Sequence, residues 1–191
     1  MSQSPFGGDV DWRAATEQVA AWPDGEVADL FHGLTARAGV DNERLFRAFA
    51  NLVTYNYLAD TPQEWHPIPD HFQAWHRMLE RGTMNMGLAA RKHMKTTFLR
   101  LRIMYYCEFV DGHGVLYWAN SQDQVVERME EMDDMIEANP WLRHLHPDTA
   151  AKRKRYPNGS FVYTTSVNAS PEGIHVQQVL GDDPLKEFAD V

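Results

Sequence analysis

A lysine followed by two hydroxyl residues, Lys95-Thr96-Thr97, stands where an apolar segment gives way to a helical pattern. Residues 84–89 predict a short buried strand, and residues 96–106 predict a helix with one mostly apolar side. This order is typical of a phosphate-binding loop, in which the loop amides and the helix N-terminus face anionic oxygens. We therefore predict that Lys95 binds the outer phosphates of a nucleotide and that the Thr96 hydroxyl binds Mg²⁺.

The loop departs from the regular pattern G-x-x-x-x-G-K-[ST] at two positions. Ala89 and Met94 stand where that pattern has glycine, and glycine is the residue that lets the backbone approach phosphate closely. A second interpretation therefore stays open, in which this segment is only the basic N-terminus of an ordinary surface helix. Nucleotide binding would distinguish the two interpretations.

A pair of carboxylates at the end of a second apolar segment fits the same chemistry. The run from Ile174 to Leu180 predicts a strand, and Asp182-Asp183 follows it. In a nucleotide hydrolase the first acid holds Mg²⁺ through water, and the second orients or deprotonates the attacking water. By itself Asp-Asp-Pro is a common turn, but the carboxyl ends of parallel strands face one crevice. We therefore expect these acids to lie opposite Lys95.

The composition limits the class of protein. The chain has 191 residues, 43% of them hydrophobic, and a formal net charge of −9, which fits one domain, or one domain with a small appendage. This charge argues against a surface coated by nucleic acid, but it allows a local basic patch. The run from Lys152 to Arg155 is the concentrated positive charge, and it is either a contact to DNA phosphate or a solvated strand end. The single Cys107 allows no internal disulfide and suits a reducing compartment.

The apolar periodicity predicts a three-layer α/β fold with a mainly parallel sheet, preceded by a small helical unit. We place the helical unit at residues 1–65 and the core at residues 66–191, with the Pro-rich segment 61–69 as connector. The predicted helices are Asp11 to Ala21, Asp24 to Ala38 with Gly39 as C-cap, Asp41 as N-cap to about Ala59, His71 to Arg81, and Ser121 to about Asn139. The predicted strands are Val115 to Ala119, Arg153 to Tyr156, Phe161 to Ser166, and Val176 to Leu180. The Asn158-Gly159 turn predicts that the second and third of these strands pair as a hairpin.

Three further features carry simpler expectations. His71 and His76 are five apart, a poor spacing for a metal site, so we expect surface or half-buried histidines. The acids of the helix after Ser121 are expected to form a solvated face. Residues 1–9 do not resemble a signal peptide, and no apolar run reaches membrane length, so we expect a soluble, cytoplasmic protein.

Over roughly residues 66–187 the chain resembles the ATPase part of a bacteriophage terminase large subunit, the DNA-packaging motor. Five motifs in order carry this resemblance. They are His66 to Gln73, similar to the segment that contacts adenine; Ala90 to Thr97, similar to a deviant Walker A loop; Ala119 to Gln124, followed by an acidic helix and Glu137 to Pro140; Asn158-Gly159-Ser160 before a strand; and Val179 to Pro184, similar to Walker B.

The resemblance implies a P-loop NTPase fold, ATP and Mg²⁺ as ligands, and roles for particular residues. The implied catalytic residues are Asp183, Arg91 and Lys95; the implied nucleotide-binding residues are Ala90, Arg91, Lys92, His93, Met94, Lys95, Thr96, Thr97, Phe72 and Gln73; and the implied metal ligands are Thr96 and Asp182. The implied partners are double-stranded DNA, the terminase small subunit, the portal ring and further copies of the chain in a ring. The implied location is the host cytoplasm, with no membrane.

The chain departs from this family in two further places. Glu172-Gly173 stands where the family commonly has Arg-Gly, and the chain ends soon after Asp183. We therefore expect the coupling motif and the nuclease domain of the family to be absent from this chain. Two other classes stay open: a different P-loop ATPase, such as a helicase-like or remodelling protein, and a degenerate P-loop module with an assembly role and little ATPase activity.

Overall fold

The structure, a computed structural model, describes residues 10–37, 39, 41–81, 94–146, 148–150, 153–166 and 173–182. The chain divides into two units. The first contains Met1–Leu88 and Glu137–Trp141, and the second contains Ala89–Ile136 and Leu142–Val191. None of the helices in the described ranges is both long and apolar enough to cross a membrane.

The first unit is helical, as the periodicity predicted. Its helices are α1 (Trp12–Ala20), α2 (Asp24–Thr35), α3 (Asn42–Tyr57) and α4 (His71–Arg81). The carboxylates of Asp11 and Asp41 cap α1 and α3, because each accepts hydrogen bonds from backbone N–H groups of the first turn. Helix α2 ends earlier than predicted, and Ala36 rather than Gly39 is its C-cap residue.

Helix α3 is the centre of this unit, and α4 packs on it. The His76 ring stacks on Phe46 with a centroid distance of 4.2 Å, and His76 is completely buried. The side chain of Arg77 binds Glu43, and this hydrogen bond holds the pKa of the Glu43 carboxyl below its usual value. His76 is therefore a core residue rather than a surface histidine. Helix α4 lies in the first unit.

The second unit contains a mixed sheet and two long helices. The elements are α5 (Lys95–Phe109), β1 (Gly114–Ala119), α6 (Gln122–Glu137), β2 (Asp148–Ala150), β3 (Arg153–Arg155), β4 (Phe161–Ser166) and β5 (Gln178–Asp182); the last residue of α6, Glu137, falls in the first unit. The strand order is β2-β3-β4-β1-β5. Strands β4, β1 and β5 are parallel, whereas β2, β3 and β4 pair antiparallel.

This arrangement confirms an α/β fold, the presence of two predicted strands in one sheet, and the predicted hairpin. The predicted strands at 115–119 and 176–180 are neighbours in one sheet, although β5 begins later than predicted. The predicted hairpin is also present, with Gly159 in the left-handed region, at φ 83°, in its turn. The predicted strand at 84–89 lies outside the described residues, and the P-loop NTPase fold stays a prediction.

Both long helices of this unit contact the same face of the sheet. Lys154 of β3 binds Asp133 of α6 with a distance of 2.5 Å between Nζ and Oδ2. Asp182 of β5, on that face, accepts a hydrogen bond from the first turn of α5. Between the helices, Arg100 of α5 binds Glu131 of α6. The acids of α6 are therefore not all solvated as predicted, because buried cations of α5 and β3 require partners.

The ion pair of Lys154 with Asp133 corrects the interpretation of the basic run at residues 152–155 as a contact to DNA phosphate. The side chain of Lys154 is only 7% exposed, so it is not available for a phosphate of DNA. Strand alternation places Arg153 and Arg155 on the other, exposed face. Lys152 lies outside the described residues.

A buried carboxylate fixes the end of α5 to the loop after α6. Glu108 is fully buried and accepts hydrogen bonds from the backbone N–H groups of Arg143, at 3.0 Å, and His144, at 2.9 Å. The Asn158 side chain also contacts this end of the helix, since its Nδ2 donates to the Cys107 carbonyl at 2.8 Å. The carboxyl end of α5 is therefore held by two loops of the unit.

We predict that Glu108→Gln lowers the free energy of unfolding by about 2 kcal/mol, because the new amide group places an N–H donor against a backbone donor and leaves it unsatisfied in the interior. Urea unfolding followed by circular dichroism measures this change. Glu130→Gln on the exposed side of α6 is the matched control. Equal unfolding midpoints for the two variants would contradict the role assigned to Glu108.

Candidate functional site

The candidate site lies where the carboxyl end of β5 meets the N-terminus of α5. Asp182 is the last residue of β5 and is paired with Ala119, the last residue of β1. Lys95 and Thr96 open α5. Thr96 Oγ1 donates a hydrogen bond to Asp182 Oδ2 at 2.7 Å, and Lys95 Nζ lies 3.6 Å from Asp182 Oδ1. The structure therefore brings together the two segments that the sequence predicted to face each other.

The Asp182 carboxylate is buried, with 5% of the residue exposed, and its two oxygens have different surroundings. Oδ2 accepts two hydrogen bonds, one from Thr96 and one from the Tyr117 hydroxyl at 3.2 Å. Oδ1 is buried and has no hydrogen-bond donor among the described residues, with the Lys95 ammonium as its nearby counter-charge. Oδ2 thus accepts hydrogen bonds from two neutral donors, whereas Oδ1 is available to bind a cation.

Tyr117 of β1 was not identified as a site residue from the sequence. Its ring is completely buried, and burial together with the adjacent Asp182 carboxylate raises the pKa of its hydroxyl above the ordinary value. Tyr117 is therefore a neutral donor at physiological pH. A buried tyrosine hydroxyl usually has a polar partner, which was the available signal, but the partner depends on strand register that the sequence does not give.

Met94 precedes α5 in an unusual backbone conformation. Its φ of 55° and ψ of 29° lie in the left-handed region, and it is the only described residue other than glycine with positive φ. For a residue with a Cβ atom, this conformation costs roughly 1–2 kcal/mol, and strain of this kind clusters at functional sites. Met94 occupies the position where the phosphate-loop pattern has glycine, so the backbone takes a glycine-like conformation without glycine.

The remaining predicted site residues fall into three groups. Thr97 lies half-buried in the first turn of α5, whereas Ala90, Arg91, Lys92, His93 and Asp183 lie outside the described residues. Phe72 and Gln73 lie on α4 in the first unit. Phe72 is completely buried and stacks on Trp75 with a centroid distance of 5.7 Å. A contact between Phe72 and adenine stays a prediction, and it would require the ring to leave this packing.

The donor set at Asp182 fits a hard divalent cation. Carboxylate and hydroxyl oxygens are the ligands that Mg²⁺ prefers, and Thr96 Oγ1 and Asp182 supply one of each. The buried Asp182 Oδ1, without a hydrogen bond, supports this fit, since a buried charged oxygen is stable only when a cation or donor compensates it. Lys95 could then bind phosphate oxygens as a point charge.

Comparison of the sequence with protein-family models and with curated proteins gave no match in either case.

We predict that Met94→Gly unfolds at the same urea concentration as the parent or a higher one, since relief of backbone strain offsets the entropy that glycine adds to the unfolded chain. Met94→Val should unfold at a lower concentration, because β-branched residues are disfavoured in the left-handed region. Urea unfolding of the three chains checks both results. A destabilisation of about 1 kcal/mol in Met94→Gly, as for glycine inside a helix, would contradict the left-handed conformation.

Proposed function

We propose that this protein binds ATP with Mg²⁺ at Lys95, Thr96 and Asp182, as a P-loop ATPase of the terminase type. The observation that carries the proposal is the 2.7 Å hydrogen bond between Thr96 Oγ1 and Asp182 Oδ2. In P-loop NTPases, a hydroxyl after the loop lysine and a strand-end aspartate together hold Mg²⁺. The same pair of groups, at the same ends of a helix and a strand, supports that chemistry here.

Each residue of the site has a defined task in this proposal. Lys95, which now lies 3.6 Å from Asp182 Oδ1, turns to the outer phosphates when a triphosphate binds, and Thr96 and Asp182 hold the cation. Bound Mg²⁺ neutralises charge on the β- and γ-phosphates. From the resemblance, Asp183 orients the attacking water and Arg91 stabilises the developing charge. In hydrolysis the water oxygen forms a bond to the γ-phosphorus and the bond to the bridging oxygen breaks. ADP leaves with the bridging oxygen, and the proton of the water passes to solvent.

The packaging role is the larger part of the proposal and is supported by the resemblance alone. It assigns the chain to the motor portion of a phage terminase large subunit, which drives double-stranded DNA into procapsids. Its partners are then DNA, the terminase small subunit, the portal ring and other copies of the chain in a ring. In this proposal the host cytoplasm is the place of action.

A second function is favoured by the side chain of Met94. This residue is 42% exposed at the start of α5, where a P-loop has glycine and phosphate approaches closely. A bulky group at that point opposes tight phosphate binding. The corresponding function is a degenerate P-loop module with an assembly role and little ATPase activity.

Isothermal titration with ATP in excess Mg²⁺ tests the proposal directly. We expect binding in the parent and loss of binding in Lys95→Ala, because the charge that faces the phosphates is removed. Asp182→Asn should keep metal-free binding and lose its enhancement by Mg²⁺. Arg37→Ala, which removes an exposed positive charge of the first unit, is the matched control for net charge. A parent that binds no ATP would leave the assembly module as the better function.

The DNA interaction has its own test at the exposed arginines of β3. We predict that Arg153→Gln with Arg155→Gln flattens the dependence of DNA affinity on salt, because the logarithmic slope falls by about 0.9 for each phosphate that the protein no longer neutralises. Fluorescence anisotropy with duplex DNA over a salt series measures the slope. Arg37→Gln with Arg81→Gln, both on the first unit, is the control pair. An unchanged slope in Arg153→Gln with Arg155→Gln would contradict the contact to DNA. It would support the alternative interpretation, in which β3 is a solvated strand end.

A further inference from the structure

Neither the sequence motifs nor the proposed function assigns a role to the hydroxyl of Tyr117, which lies in the site. Strand alternation places Tyr117 on the same face of the sheet as Asp182, and pairing of β1 with β5 brings the two side chains together. The hydroxyl donates to Asp182 Oδ2 at 3.2 Å. Tyr117 is completely buried, so no water competes for this bond.

Two hydrogen bonds to Asp182 Oδ2 determine the orientation of the carboxylate. The terminal torsion of an aspartate is broad when nothing holds it. Here Thr96 and Tyr117 both donate to Oδ2, which leaves Oδ1 on the side of the Lys95 ammonium. Thr96 is also the proposed metal ligand, so its hydroxyl has a second task at this site. Tyr117, on a central strand of the sheet, does not have that second task.

We propose that Tyr117 is a positioning residue for the metal-binding carboxylate, and that its hydroxyl holds Asp182 Oδ2 so that Oδ1 faces the cation and the phosphates. This inference rests on the proposed function. Tyr117 acts through Asp182 and contacts neither nucleotide nor metal. It therefore affects the cation requirement of nucleotide binding and leaves metal-free binding, which depends on Lys95, unchanged.

The expected effect of Tyr117→Phe on metal affinity can be estimated from other groups that hydrogen-bond to metal ligands and orient them. Removal of a group that orients a metal ligand typically weakens metal affinity by roughly 10–100-fold. For Tyr117→Phe we expect the Mg²⁺ concentration that gives half-maximal enhancement of ATP binding to rise about tenfold. The affinity for ATP in excess EDTA should stay equal to that of the parent.

The experiment titrates Mg²⁺ at fixed concentrations of a fluorescent ATP analogue, with parallel titrations in EDTA. Binding of Mn²⁺ in the presence of ADP, followed by electron paramagnetic resonance, gives a second measurement that does not depend on hydrolysis. Tyr163→Phe is the matched control, because Tyr163 is a half-buried tyrosine on the neighbouring strand β4 and points to the opposite face. It should keep the Mg²⁺ requirement of the parent.

The outcomes separate this inference from the proposed function. A parent without Mg²⁺-dependent ATP binding overturns both. A parent with such binding, together with a Tyr117→Phe variant of unchanged Mg²⁺ requirement, overturns the role of Tyr117 alone. Equal losses of ATP affinity with Mg²⁺ and with EDTA would show a merely structural role and also overturn it.

A second variant covers the case in which Tyr117→Phe fails to fold. p-Aminophenylalanine at position 117 keeps the ring and a weaker N–H donor in place. Its Mg²⁺ requirement should lie above that of the parent and, where Tyr117→Phe folds, below that of Tyr117→Phe. A requirement equal to that of the parent would overturn the inference.

Discussion

The buried charge of Asp182 is the constraint on which the site depends. A carboxylate at the end of a strand that is shielded from water needs compensation, and here the compensation comes from two chain segments. Thr96 and Lys95 bring the first turn of α5 to the strand end, while Tyr117 supplies a donor from within the sheet. The position of α5 on the sheet and the chemistry of the site therefore have one physical cause.

Buried charges elsewhere in the second unit are also compensated by specific partners. Arg100 and Lys154 are nearly buried, and both are paired with acids of α6. Glu108 is completely buried and is satisfied by backbone N–H groups. Breaking such a pair leaves an uncompensated charge in the interior, which costs more than the pair itself contributes. These polar contacts fix the arrangement of helices on the sheet more specifically than apolar packing alone does.

Local signals in the sequence predicted much of the fold, and tertiary pairing decided what they missed. An aspartate cap located α3, the Asn-Gly turn located the β3–β4 hairpin, and an apolar run located β1, because each signal acts within a few residues. The meeting of Thr96 with Asp182 was also predicted, since parallel strands end at one edge. The partners of Lys154 and Tyr117 depend on register and on helix placement, which no local pattern encodes.

The turn at Asn158-Gly159 has a consequence for the chemical lifetime of the protein. Asn-Gly is the sequence most prone to deamidation, in which the glycine nitrogen attacks the asparagine side-chain carbonyl to form a succinimide. In the fold the Gly159 N–H donates to the Tyr156 carbonyl at 3.0 Å, and both ends of the Asn158 amide are hydrogen-bonded. The attack would require these hydrogen bonds to break, so we expect ageing at this position to proceed through opening of the turn and its rate to report local unfolding.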